Sequence, residues 1–251
     1  MNYMGGKWRQ SKMLTEKIGE REGEGFKYWE PFCGAMWSAV RIIENLHPSS
    51  VVLSDVNKSL ILLWNGLING TVALPPIITK EDYDRYKKTR DMNDPLTAWY
   101  GFNCSFGGMW FSSMANQESH RATYSSDGST ASTTRKVRIL KTCHGLSIVE
   151  SDYLTMLEHK PSGMVIYCDP PYEDRAKVHC FDSFDYPLFW DNIRRLSKDN
   201  HVYTTCFKHP EDFEVIHDWG CTIVNMHSSK HEIKHGSPTE KLVIYKGGNL
   251  S

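Results

Sequence analysis

The stretch Gly163-Met164-Val165-Ile166-Tyr167-Cys168-Asp169-Pro170-Pro171-Tyr172 decides the fold. A short apolar run rich in β-favouring residues reads as a buried strand, and two successive prolines stop it, because neither donates a ladder hydrogen bond. A rigid loop at the carboxyl end of a strand is where open α/β sheets bind ligands. Asp169 and the carbonyl of Pro170 can both accept hydrogen bonds from an exocyclic amine, while Tyr172 can stack on a planar base. This set suits a flat heterocycle bearing an NH₂ group, such as adenine. Drawing off both amino protons exposes the nitrogen lone pair to an electrophile. A tight proline turn with a chance flanking acid and tyrosine is the alternative.

Upstream, Met13, Leu14 and Ile18 mark a helical pattern that ends near Gly23. Lys27–Glu30 is a strand candidate running into Pro31-Phe32-Cys33-Gly34, and Trp37–Leu46 carries Val40, Ile43 and Leu46 on one helical face. Val51–Asp55 is a strand ending in an acid. Strand, turn, helix, strand, acid is the beginning of a nucleotide-binding α/β sheet. Gly34 lets a ligand approach the backbone, the helix start offers N–H groups to a carboxylate, and Asp55 stands where an acid holds a ribose diol. A nucleoside-plus-carboxylate site is what S-adenosylmethionine requires. An ordinary strand-to-helix turn is the alternative for Glu30–Gly34.

Downstream, the α/β pattern returns at Leu146–Val149, with Asp152 just beyond, and passes through the Gly163–Cys168 strand. It continues with a helix predicted over Pro187–Leu196, a strand over His201–Cys206, a helix over Phe213–Trp219, and strands over Cys221–Met226 and Lys241–Tyr245. The middle is different. It has Pro75-Pro76, a charged helix candidate over Glu81–Thr89, an aromatic cluster from Trp99 to Phe111, and a Ser, Thr, Gly and Asn-rich run from Ser112 to Thr134. That run is expected to be flexible or to order on binding. Residues 1–65 and 145–251 therefore read as a catalytic domain, and 66–144 as an insertion into it.

Composition bounds the function. The 251 residues are 40% hydrophobic and 24% charged, which excludes wholesale disorder, and the net charge of −1 gives no sign of a polyanionic partner. From Thr79 to Thr142, ten Lys and Arg stand against seven Asp and Glu, a modest basic excess. No apolar run is long enough to span a bilayer, and the N-terminus lacks the apolar core of a secretory signal, so the expected location is the cytoplasm. Seven cysteines, an odd number at wide spacing without a C-x-x-C pair, argue against a disulfide framework and a zinc finger. His227, His231 and His235 are spaced by four, but the serines and glycine among them weigh against a metal site, and none is expected.

Four elements in order resemble the Dam-type, alpha-group N6-adenine DNA methyltransferases, many of them phage or restriction-modification enzymes. Tyr3-Met4-Gly5-Gly6-Lys7 resembles the aromatic-x-Gly-Gly-Lys motif, Glu30–Gly34 the E-P-F-x-G motif, Ser54-Asp55-Val56-Asn57 the D-x-N segment, and Asp169–Tyr172 the D-P-P-Y motif. Thr239-Glu240-Lys241-Leu242 is a weaker fifth match, like the family's last strand.

The resemblance implies a Rossmann-like α/β methyltransferase sheet with an inserted target-recognition domain. It implies S-adenosylmethionine as cofactor and double-stranded DNA as partner. Tyr3 and Lys7 would contact the methionine part of the cofactor, Lys7 through its carboxylate. Phe32 and Gly34 would line the cleft, Asp55 would hold the ribose, Asp152 would sit near the cofactor's adenine, and Asp169 would bind the target amine beside the cofactor's amino acid. Pro170 and Tyr172 would complete the pocket of a flipped adenine.

The insertion would track DNA with Asn103, Arg121, Arg135 and Lys136. Arg85, Lys87 and Lys88 fit a solvated helix equally well. The bulky Met36 and Trp37 replace small residues of many relatives, and Asn103–Gly108 matches the family only loosely. An RNA or protein-amide acceptor, or a silent DNA-binding relative, are the rival readings.

Overall fold

The computed structural model describes residues 1–115, 123–172, 184–220 and 239–248. Among the described residues, seven strands form one sheet in the order β5-β2-β1-β6-β7-β9-β8. They are β1 (Lys27–Glu30), β2 (Ser50–Asp55), β5 (Leu146–Glu150), β6 (Met164–Cys168), β7 (His201–Cys206), β8 (Phe213–Asp218) and β9 (Lys241–Tyr245). β3 (Ile77–Thr79) and β4 (Thr123–Ser125) pair separately as an antiparallel ribbon. β5, β2, β1, β6 and β7 run parallel, and β9 lies antiparallel between β7 and β8. The strand order reverses between β1 and β6, and ligands bind at the carboxyl ends of the strands beside such a switch.

The central strands are buried on both faces, so their sequences are continuously apolar while their side chains alternate. Val165 and Tyr167 of β6 enter one core, and Ile166 and Cys168 the other. The first core lies under α1 (Ser11–Glu22), α2 (Trp37–Leu46) and α3 (Lys58–Asn69), with α4 (Lys80–Thr89) and α5 (Pro95–Ala98) following in the chain; the second is closed by Phe189, Ile193 and Leu196 of α7 (Tyr186–Leu196). Among the described residues no helix is long and apolar enough to cross a membrane.

The segment 213–219, predicted as a helix, is instead the edge strand β8, paired to β9 with a bulge between Val215 and His217. Val215 and Ile216 are β-branched, and the open edge of β9 supplies a ladder that a helix would leave unpaired. The Ser/Thr-rich run also differs from expectation. Within it begins α6 (Asp127–Leu140), whose buried Thr133, Lys136, Ile139 and Leu140 face inward, with the helix lying against α2 and α3. Low intrinsic helix propensity is overridden there by packing. The predicted strand Cys221–Met226 lies outside the described residues, as do Arg121, His227, His231 and His235.

Candidate functional site

A cleft of about 630 Å³ opens at the carboxyl ends of β1, β2 and β6. It gathers Tyr3, Lys7, Phe32, Gly34, Asp55, Asp152, Asp169, Pro170 and Tyr172, which lie far apart in the chain.

Asp55 ends β2. Its Oδ2 accepts the N–H of Gly34 and its Oδ1 that of Asn57, both at 3.0 Å. Asn57 in turn caps α3, its Oδ1 accepting the N–H of Leu60 at 3.0 Å. The spacing of Asp55 and Asn57 thus serves one acid held by backbone and one helix start. Burial raises the Asp55 carboxyl to about 6, against the pull of the backbone N–H groups. Gly34 has φ +43°, and a side chain there would place its Cβ 3.0 Å from the Tyr3 ring. No side chain caps α2, whose first residues, Trp37 and Ser38, line the cleft, and the bulky Met36 is buried in the left-handed conformation just before them.

Glu30 is buried beneath the cleft. Its carboxylate accepts from the Ser38 hydroxyl and, at 2.8 Å, from the Tyr28 hydroxyl, and burial pushes it up to about 8. Phe32 meets Tyr153, Phe184 and Phe189 at ring distances of 6.2, 6.1 and 5.9 Å, making an aromatic wall. Asp152 borders that wall and caps a short turn, accepting the N–H of Leu154 at 3.0 Å. Tyr153 and Phe184 went unnoticed in the sequence because isolated aromatics carry no spacing signal.

The loop after β6 holds the densest polar group. Oδ1 of Asp169 takes the Lys7 ammonium at 2.7 Å, the Thr205 hydroxyl at 2.8 Å and the Tyr172 hydroxyl at 3.2 Å. The Tyr186 hydroxyl donates to the carbonyl of Pro171 at 3.1 Å, which leaves that of Pro170 as the loop's other acceptor. Lys7 also reaches Oε1 of Glu240 at 3.0 Å and the Tyr172 hydroxyl at 2.6 Å. The ammonium is thus paired to two protein carboxylates. Burial alone would lower the Lys7 pKa, but Asp169 and Glu240 outweigh it and hold the amine protonated. Burial raises Asp169, against the pull of Lys7. Thr205 and Glu240 join the site without a clear sign in the sequence. Glu240 stood in the weakest motif match, and no signal marked Thr205.

The residues read as DNA contacts scatter. Asn103 is buried, and its Oδ1 accepts the N–H of Asn2 at 2.8 Å, so it braces the N-terminal arm. Lys136 is 1% exposed, donates to the carbonyl of Ala35 at 2.6 Å and lies 3.3 Å from the centre of the Trp37 ring. The expectation that these two meet DNA is corrected: a phosphate has no access to either. They face inward because α6 lies against α2 and α3, and the π-helical turn Trp99–Asn103 joins the same hydrophobic core. Arg135 is exposed and pairs with Glu44 at 3.3 Å.

Residues 3–211 match the D12 class N6 adenine-specific DNA methyltransferase family. The chain belongs to that family. It is an adenine-specific methyltransferase whose methyl donor is S-adenosylmethionine. Comparison with curated proteins finds no match. Among solved structures, the methyltransferase is similar to TrmN from Thermus thermophilus, at 10% identity and TM-score 0.42, over 94% of this chain and 48% of that one. It is also similar to the rRNA methyltransferase aviRa from Streptomyces viridochromogenes, at 13% identity and TM-score 0.44, over 95% of this chain and 84% of that one. A third, ribosomal protein L11 methylase from Lactobacillus delbrueckii subsp. bulgaricus, has 9% identity and TM-score 0.39, over 94% of this chain and 79% of that one.

Proposed function

We propose that this methyltransferase modifies N6 of an adenine within one short sequence of double-stranded DNA, after the base has been flipped out of the helix. Bound S-adenosylmethionine supplies an electrophilic methyl group. The chain's own residues then bind, orient and polarise. The observation that carries the reading is the bonding of Asp169. Its polar contacts with Lys7, Thr205 and Tyr172 all fall on Oδ1, so Oδ2 and the carbonyl of Pro170 are the acceptors left for the two amino protons of the target. An adenine buried in a duplex cannot reach that loop, which is why extrusion is part of the proposal. Tyr172, with Phe207 against its ring at 4.5 Å, supplies the aromatic surface beside the amine site.

The donor set fits the cofactor. Asp55 accepts the backbone N–H groups of Gly34, Val56 and Asn57 and keeps a lone pair for a ribose hydroxyl, and the Phe32, Tyr153 and Phe184 wall suits a purine. Asp152 stands beside that wall for the cofactor's adenine, and Tyr3 lies over Gly34 where the amino-acid part would pass. In this reading 1–65 and 145–251 are the catalytic domain and 66–144 the recognition insertion, with Arg135 and Arg121 as its phosphate contacts.

Incubation with labelled S-adenosylmethionine and unmethylated DNA, followed by mapping of modified bases, tests the proposal. N6-methyladenine confined to one motif supports it. Label in RNA or protein but never in DNA transfers the reading to another acceptor, and cofactor binding without any transfer makes the protein a silent binder.

A further inference from the structure

Glu240 stands immediately before β9, yet it reaches the catalytic loop. The cause is the direction of that strand. Because β9 runs antiparallel to β7, with Cys206 opposite Lys241, its beginning lies at the carboxyl end of the parallel strands. Glu240 is 7% exposed, and its own carbonyl accepts the N–H of Trp219 at 2.9 Å, which fixes its backbone. Both carboxylate oxygens are occupied. Oε1 takes the Tyr172 hydroxyl at 2.6 Å and Lys7 at 3.0 Å, and Oε2 takes the Gln10 amide at 3.0 Å.

We propose that Glu240 is a positioning residue for methyl transfer, dividing the donors Lys7 and Tyr172 with Asp169 so that one Asp169 oxygen stays open to the target amine. The inference rests on the reading of Asp169 given above. A phenol has one proton to give. With Glu240 present, that proton goes to the nearer carboxylate, and the 3.2 Å contact to Asp169 is the weaker choice. Without Glu240, both the phenol and the full ammonium charge fall on Asp169. An acceptor already saturated by a cation is a poorer acceptor for a neutral amine.

The groups facing Glu240 are Lys7 and Gln10 from the N-terminal arm, Asp169 and Tyr172 from the loop after β6, Tyr167 of β6 and Cys206 of β7, with Lys241 beside it. Glu30 of β1 acts on Asp169 and Lys7 from beneath. Glu240 is held below its ordinary value: burial would raise it, but Lys7, Tyr172 and Gln10 prevail. It is thus an anion at neutral pH, and its charge raises both Asp169 and Lys7.

The test uses the full chain with Glu240→Gln and Glu240→Asp, reading kcat and KM for DNA and S-adenosylmethionine across pH. Glu240→Gln is expected to lose about 100-fold in kcat, the scale of a small misplacement, with both KM values within about threefold. Both limbs of its pH–rate profile shift to lower pH, because Asp169 and Lys7 each lose a raising charge. Glu240→Asp recovers part of kcat and restores the limbs. A second readout is independent of turnover: the side-chain NMR signal of Lys7, assigned by its loss in Lys7→Met, titrates at lower pH in Glu240→Gln. Unmoved limbs together with an unmoved Lys7 titration overturn the inference, whatever the fall in kcat. A wild-type protein that transfers nothing to DNA removes the reading of Asp169, and the Lys7 titration then decides the placement of Glu240 by itself.

Discussion

Lys7 Nζ lies 2.7 Å from Asp169 Oδ1, joining the N-terminal arm to the loop after β6. The arm is held from its other side as well. Met4 donates its N–H to the carbonyl of Gly108 at 3.0 Å, and Asn2 donates to Asn103 at 2.8 Å. Asn103 and Gly108 therefore fix the stretch of backbone that carries Tyr3 and Lys7 into the cleft.

Replacing Asp169 with Ala is expected to remove at least about 10³-fold of methyl transfer, the scale of losing a group that polarises the reacting centre. Lys7 keeps Glu240 as its partner, so the fold persists. Transfer of label measures the loss, and circular dichroism checks the fold. An Asp169→Ala protein that methylates at the wild-type rate sinks the mechanism.

Asp55→Ala is expected to weaken S-adenosylmethionine by about 10- to 100-fold, the cost of one or two hydrogen bonds to a charged acceptor. In the wild type, affinity also falls as pH drops through about 6, where the buried carboxyl takes a proton and loses acceptor capacity. The free protein has the opposite slope. A carboxyl whose pKa is raised from 3.8 to about 6 on folding binds its proton more tightly when folded, so this group's contribution to stability declines as pH rises between those values. Calorimetric titration of the cofactor at pH 5 and 8 reads the first effect.

Gly108→Ala is expected to loosen the arm. Its φ is +70°, and a Cβ would stand 2.7 Å from the backbone nitrogen of Tyr3 and 2.8 Å from that of Met4, neither of which can swing away. A loss of about 1–3 kcal/mol in stability follows, with an increase of about tenfold in KM for S-adenosylmethionine as Tyr3 and Lys7 shift. Gly5→Ala is the control. Its φ of +82° is strained, but nothing lies within 4 Å, so the cost is only about 1 kcal/mol. Denaturant titration and steady-state kinetics separate the two.

Lys136→Met is expected to leave DNA affinity and its salt dependence unchanged, since the amine is enclosed by Ala35 and Trp37. Burial lowers this lysine from 10.5 to about 6, so the unfolded chain holds the extra proton between those values and wild-type stability rises with pH across them. The variant loses that slope. Urea unfolding at pH 6 and 9 checks the stability, and filter binding at two salt concentrations checks the DNA. A reduced salt slope in Lys136→Met places that lysine on phosphate after all.

The local signals were legible where one segment contains its own cause. Pro170 and Pro171 stop β6 whatever surrounds them, and the apolar runs at 51–55 and 163–168 form strands because both their faces are covered. The strand 213–218 is not legible locally, because Phe213 and Ile216 also fit a helical face and only pairing with β9 favours the extended form. A lysine beside an arginine looks solvated, and the burial of Lys136 depends on α2 and α3 lying against α6. Asn103 stands in the loosely matching Asn103–Gly108 segment, and nothing near it in the chain reveals that Asn2 needs an acceptor.

The sequence by itself determined the chemistry of the cleft, since Asp55, Asp169, Pro170 and Tyr172 carry their donors and acceptors wherever they are placed, and strand ends deliver them to one edge of the sheet. Tertiary structure alone decided which charges meet. The reversal at β9 brings Glu240 to Lys7, and the packing of the middle segment bolts the arm in place. Contacts between residues so distant in the chain depend on strand order and direction, which are set by the burial of the whole sheet rather than by any local pattern.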